Sequence, residues 1–292
     1  MTERPLDRVH AGDCVAGLPA APATIRRVHT TLRSALGWAV KRRWLQANPA
    51  ERADPPAPRR SKARPPGRED VAPLLEAAQR DDSDLALEWL CWLRLDVVTG
   101  ARRGEVCAVR WRDIDFDGAA VTMEHSIAPD TDEHGRRRYL RKETKADTVK
   151  RPELDPATLA LLASWRQRQA ERADQLGLEV ARDAYVFSPD VQGRRPWPPD
   201  TMTQRFRRLC ARVGLERVTV KDLRHWAASN MLLGGIDLVR AAARTGHDSK
   251  TLLAFYAHYL GGGREAADLL AGLVDRPAGV AVSLQRDSSA AN

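Results

Sequence analysis

Between Ala23 and Trp44 the apolar residues Ile25, Val28, Leu32, Ala35, Leu36 and Ala39 recur at three- and four-residue steps, the period of one helix face. The opposite face carries Arg26, Arg27, Arg33 and Lys41, with Arg42 directly after, so the predicted helix is amphipathic and basic. From Asn48 to Gly67 the chain reads NPAERADPPAPRRSKARPPG, where repeated Pro prevents helix and favours an extended connector. Beyond it Val71, Leu74, Leu75 and Ala78 predict a second helix. Leu85 to Val98 predicts a longer, strongly apolar helix that stops at Gly100 and suits the centre of a core.

The pattern then changes. AAVTMEHSI and RRYLRKE flank the polar stretch DTDEHG, which predicts a hairpin, and VKRPEL can supply a third strand. Helical periodicity returns from Ala157 to Leu176, from Pro199 to Val213, and in short pieces from Leu223 to Tyr259, before a small, polar tail expected to be disordered. The expected fold is mainly α with a small antiparallel β-sheet (α+β). Its expected parts are a helical region over 1–54, a Pro/Arg-rich linker over 55–67, a main domain over 68–276 and a tail over 277–292. No internal repeat is present.

Composition narrows the function classes. The 47 Lys and Arg outnumber the 39 Asp and Glu, a formal +8, which suits a polyanionic partner such as nucleic acid. Cys14, Cys91, Cys107 and Cys210 lack metal-ligand spacing and read as reduced thiols of a cytoplasmic protein, so neither disulfide nor metal site is expected. No apolar run is long enough for a membrane span, and MTERPLDRVHAGD lacks the apolar core of a signal peptide.

Four segments carry candidate chemistry. TGARRGEVCAVRWRDID, Thr99 to Asp115, places a Gly-containing bend before a short helix and a polar turn. ETKADTVKRPELDPATLALL crosses the predicted sheet. VKDLRHWAASNMLLGG and AAARTGHDSK precede TLLAFYAHYL, where Tyr256 lies nine residues after His247 (256 − 247 = 9). A phosphodiester under in-line attack gathers negative charge on its non-bridging oxygens, which permanently charged guanidiniums bind well. A phenol with its ordinary pKa is a poor nucleophile and needs a cationic pocket or a base.

In order and spacing these segments resemble the boxes of tyrosine recombinases of the phage-integrase type. The resemblance runs from about residue 20 to 275 and matches Arg102 and Arg224 to the family's catalytic arginines. It also matches Glu105 to the acid that supports the first arginine, His247 to the Leu-Gly-His turn and Tyr256 to the nucleophile. Lys145 matches the hairpin lysine that delivers a proton to the departing 5′ oxygen, with Lys142 and Lys150 as nearby alternatives. Lys221 stands where the family has His, giving KDLR, a segment that also resembles type IB topoisomerases.

The resemblance implies DNA breaking and rejoining through a 3′-phosphotyrosine, with no cofactor, metal or ATP. Relaxation of supercoiled DNA and a silent DNA-binding remnant are the alternatives. It also implies double-stranded DNA as partner, with Arg26, Arg27, Lys41 and Arg42 on a partial core-binding region; a full bundle does not fit before the connector, so a truncated gene with reduced activity is one expectation. The Gly261 to Asp275 stretch, with Ala266, Leu269, Leu270 and Leu273 as an apolar stripe, resembles the C-terminal helix passed between subunits. The chain is therefore expected to be a monomer in solution and a homotetramer on paired sites.

Other residues read as structural. Tyr259 has the wrong spacing from His247, and Tyr139 and Tyr185 suit packing with a bonded hydroxyl. His225 and His258 read as local partners, and Trp92, Trp111 and Trp165 as core. Arg102→Ala and Arg224→Ala are both expected to keep the fold.

Overall fold

The computed structural model describes residues 21–57, 67–81, 83, 85–144, 149–248 and 252–253. Lys145, Tyr256, His258, Tyr259, Cys14, the Gly261–Asp275 stretch and the tail lie outside them. The chain divides into two compact units between Arg64 and Pro65.

The first unit contains helix α1, Pro22–Lys41, opened by Pro in its first turn, where a missing N–H costs nothing. A short 3₁₀ turn, Pro49–Arg52, folds back onto it. The His29 ring nitrogen Nε2 lies 2.8 Å from the Ala50 carbonyl oxygen, and Asn48 Nδ2 donates to the Arg33 carbonyl at 2.9 Å. Of the four basic residues expected to meet DNA, Arg26 donates to the Pro56 carbonyl at 3.3 Å, whereas Arg27, Lys41 and Arg42 are exposed. Arg42 lies 4.3 Å over the Trp38 ring, which meets Trp44 edge-on.

The second unit is built around α3, Ala86–Thr99, flanked by α2, Arg68–Gln79; α5, Pro156–Asp174; and α7, Val220–Leu233. The all-round apolar pattern of α3 has its explanation here, since Trp89, Trp92, Leu93 and Leu95 are all at most 2% exposed. Each such side chain contributes roughly 1.5–3 kcal/mol by leaving water. Trp111 and Trp165 are also buried; their indole N–H groups donate to Gln169 Oε1 and the Val186 carbonyl, both at 2.7 Å. Cys91, Cys107 and Cys210 are buried free thiols.

After α4, Arg103–Cys107, the chain forms two small antiparallel sheets. Strands β1, Ile114–Asp115, and β2, Ala120–Val121, make one; β3, His125–Thr131, and β4, Arg137–Glu143, make the predicted hairpin. Its polar turn is held by Asp132, whose Oδ1 accepts from the backbone N–H groups of His134 and Arg136 at 2.9 and 2.8 Å. The expected third strand appears only as isolated bridges, Met123 with Lys150 and Ala120 with Glu153, because Pro152 has no N–H with which to continue a ladder. The remaining described α-helices are α6, Pro199–Arg212, and α8, Leu238–Thr245, the latter capped by the Asp237 side chain. The fold is thus mainly helical with small antiparallel sheets.

Candidate active site

Two helix ends meet at the site. Helix α3 stops at Gly100 with φ +59°, and α8 stops at Gly246 with φ +69°, a left-handed conformation that disfavours any residue with a Cβ. Both glycines are also closely packed. A Cβ on Gly100 would lie 2.8 Å from Thr245 Cγ2, and one on Gly246 would lie 3.0 Å from Lys150 Cδ. These turns therefore bring backbone carbonyls together where side chains would have held them apart.

Arg102 leaves the Gly100 turn and precedes α4, where Glu105 occupies the third position. The carboxylate of Glu105 accepts from the Arg102 backbone N–H at 2.9 Å and from its Nη1 at 2.8 Å, tying main chain and guanidinium to one group. Arg102 Nη2 donates to the Gly246 carbonyl at 3.1 Å. Arg224, on α7 and only 6% exposed, donates through Nη2 to the same carbonyl at 2.8 Å. Its Nη1 donates to Gly100 O at 3.0 Å and to Thr245 O. The arginine is locked from several directions.

His247 completes the cluster. Arg224 Nε donates to its Nε2 at 3.2 Å, while Nδ1 lies 2.7 Å from the Thr245 hydroxyl. That hydroxyl already gives its one proton to the Ala241 carbonyl at 2.8 Å, so Nδ1 carries the ring hydrogen and Nε2 is the acceptor. Burial, together with the Arg224 charge, pulls the imidazole down to about 3. His247 is neutral at physiological pH and does not add to the positive field.

The structure thus gathers Arg102, Glu105, Arg224 and His247. Lys221 is exposed on the first turn of α7 and lines an adjoining hollow of about 360 Å³ with Arg102, Arg103, Thr203 and Arg224. Of the two alternative lysines, Lys142 is exposed on β4, 3.4 Å from Asp130, whereas Lys150 is buried in an ion pair with Glu105. Arg26, Arg27, Lys41 and Arg42 belong to the other unit. Tyr139 and Tyr185 have bonded hydroxyls, the first donating to Asp200 at 3.0 Å and the second accepting from Arg110 at 3.3 Å. The His225 ring lies 5.5 Å from the His247 ring, tilted by 31°.

Sequence reasoning missed the carbonyls of Gly100, Thr245 and Gly246, whose signal was only the Thr-Gly pair repeated at 99–100 and 245–246. It also missed Asp96 on α3, fully buried, whose carboxyl is raised well above its ordinary value by burial. Lys150 had a usable signal. Alternation along VKRPEL sends it inward while Val149, 59% exposed, and Arg151 face out.

Known proteins resemble this chain in sequence and in fold. The chain is 28% identical over 176 residues to the ICEBs1 integrase of Bacillus subtilis (strain 168), covering 59% of this chain and 46% of the relative. It is 28% identical over 246 residues to the tyrosine recombinase XerC of Mycobacterium tuberculosis (strain ATCC 25177 / H37Ra), covering 83% and 74%. The chain spans about half the length of the first of these relatives. Its fold is similar to that of the Tn1549 transposon integrase solved with transposon right end DNA, with TM-score 0.72, 18% identity, and 93% and 87% of the two chains covered. It is also similar to the XerH recombinase bound to difH, with TM-score 0.66, 15% identity, and 92% and 73% covered. Residues 68–261, which include every residue of the cluster, match the phage integrase family model, and the chain belongs to that family.

Proposed function

We propose that this chain is a site-specific DNA recombinase that breaks and rejoins strands through a 3′-phosphotyrosine on Tyr256. The observation that carries this reading is the convergence of Arg102 and Arg224 on the Gly246 carbonyl, with half-exposed Arg102 at the mouth of the hollow that Lys221 also lines. Two fixed guanidiniums beside a solvent-open hollow suit a phosphate whose charge grows during attack. The family and the DNA complexes of the structural neighbours support the same reading, and nothing among these findings favours a topoisomerase.

In the proposed reaction the Tyr256 phenol releases its proton to solvent, and the resulting oxyanion forms a bond to phosphorus as the bond to the 5′ oxygen breaks. Lys145 gives its proton to that oxygen, and Arg102 and Arg224 offset the negative charge. Attack by another 5′ hydroxyl reverses the steps, so the energy of the phosphodiester is conserved and no nucleotide is consumed. Glu105 holds Arg102, and neutral His247 accepts the Arg224 Nε–H. Double-stranded DNA is the substrate, with Arg27, Lys41 and Arg42 contacting its backbone. The chain works as a homotetramer on paired sites and is a monomer when free.

A library of nicked duplexes with a randomised core tests this, because a nick lets the short 5′ product diffuse away and traps the covalent complex. The parent should yield a protein band carrying an oligonucleotide, with or without EDTA, and Tyr256→Phe should yield none. A band that survives Tyr256→Phe removes the tyrosine; a band lost only in EDTA removes the metal-free reaction; relaxation of plasmid irrespective of sequence points to a topoisomerase.

A further inference from the structure

The buried lysine of the cluster has no part in the reaction proposed above. Lys150 is 7% exposed, and its ammonium pairs with Oε2 of Glu105, itself 1% exposed. The same oxygen accepts the Arg102 backbone N–H, and the other carboxylate oxygen accepts Arg102 Nη1. The Lys150 backbone N–H and carbonyl pair with Met123 at 3.4 and 2.8 Å, which fixes the lysine on the sheet side of the site. Its stem lies against Gly246, whose carbonyl joins Arg102 to Arg224. Lys150 therefore touches the two groups that orient Arg102.

We infer that Lys150 is a positioning residue for Arg102, acting through Glu105: it keeps the buried carboxylate charged and in place so that the guanidinium stays aimed at the phosphate. This rests on the recombinase reading. A buried carboxylate with one exposed arginine as partner would tend to take up a proton, because burial penalises the charged form. Burial does push Glu105 upward, yet Lys150 and then Arg102 outweigh it, and the carboxyl sits below its ordinary value. The other groups around the pair do not substitute for Lys150. Asp96 on α3 is an acid that supplies no positive charge, and burial raises its carboxyl well above its ordinary value; Arg224 on α7 is committed to carbonyls and to His247, and His247 is neutral.

The test follows single-turnover cleavage against pH for the parent, Lys150→Met and Lys150→Arg on saturating nicked duplex. A second duplex carries sulfur in place of the bridging 5′ oxygen, a leaving group that needs no proton. Lys150→Met should move the acid limb of the profile upward by about one pH unit or more, so that cleavage is about tenfold slower near pH 6 and much closer to the parent near pH 8. Lys150→Arg should restore the limb, and DNA affinity should not change. Rescue of Lys150→Met by the sulfur substrate would make Lys150 the proton donor and overturn the positioning role. Equal loss at every pH, or no loss, would overturn it as well. If the parent does not cleave, the recombinase reading fails instead, and ¹³C-carboxyl NMR of Glu105, assigned with Glu105→Gln, decides the coupling. An unchanged Glu105 titration in Lys150→Met ends the proposal.

Discussion

Arg102 and Arg224, 122 positions apart (224 − 102 = 122), donate to one and the same acceptor, the carbonyl oxygen of Gly246, at 3.1 and 2.8 Å. Two guanidiniums repel each other, and a shared carbonyl dipole between them lowers the cost of holding both at one phosphate. Their convergence depends on a backbone turn that only glycine adopts easily.

Gly246→Ala tests that dependence. A Cβ there faces both the left-handed strain, about 1–2 kcal/mol, and the Lys150 stem at 3.0 Å. Melting should fall by several degrees, and cleavage by about tenfold or more in fully folded protein, since the shift reaches both arginines. A variant that folds and cleaves like the parent would show that the carbonyl does not align them.

The two arginines should respond differently to truncation: both variants are expected to keep the fold, but not the same stability. Arg102 is half exposed, so Arg102→Ala should retain its melting temperature and lose about 100-fold in cleavage, the scale of a removed oxyanion donor. Arg224 is buried and satisfies the carbonyls of Gly100, Thr245 and Gly246. Arg224→Ala leaves them without that donor and should unfold measurably more easily, by about 1–3 kcal/mol or more. Equal melting of the two variants would contradict the assignment of Arg224 as a structural as well as a catalytic cation.

Lys221 projects from the first turn of α7 into the hollow beside Arg102. Lys221→His should cleave as fast as the parent or faster, whereas Lys221→Ala should be slower with little change in stability. Parent-like cleavage by Lys221→Ala would remove this residue from the phosphate site.

Glu88 gives a prediction on stability alone. It is fully buried in the core, accepting from the Ser188 N–H at 2.8 Å and from the Trp197 indole, and burial raises its carboxyl from 4.5 to about 7. Between those values the folded chain holds a proton that the unfolded chain has released. Stability from this group is complete below about pH 4.5 and is lost as pH rises through about 7. Glu88→Gln should flatten that dependence and exceed the parent in stability near pH 8 by up to about 3 kcal/mol. Denaturant unfolding across pH decides it: parallel curves for parent and variant would mean that Glu88 does not titrate in this range.

The sequence determined the elements whose cause is local. The apolar run of α3 declared a central helix because helical period and side-chain type act over neighbouring residues, and Trp89, Trp92 and Leu93 lie where that pattern puts them. DTDEHG declared the hairpin because its second aspartate, Asp132, closes the turn by itself. The ordered boxes around Arg102, Arg224 and His247 were legible for the same reason, as each is a short segment with its own spacing. Tertiary structure decided what depends on segments far apart in the chain. It chose Lys150 over Lys142 as the partner of Glu105, since only a strand's facing, fixed by the bridge to Met123, distinguishes two nearby lysines. It made Arg224 a buried cross-link and left Arg102 half open, although both are arginines in similar motifs. It set the His247 tautomer through Thr245 and Arg224, and it assembled the acceptors from carbonyls, which every residue carries and no side-chain pattern can reveal.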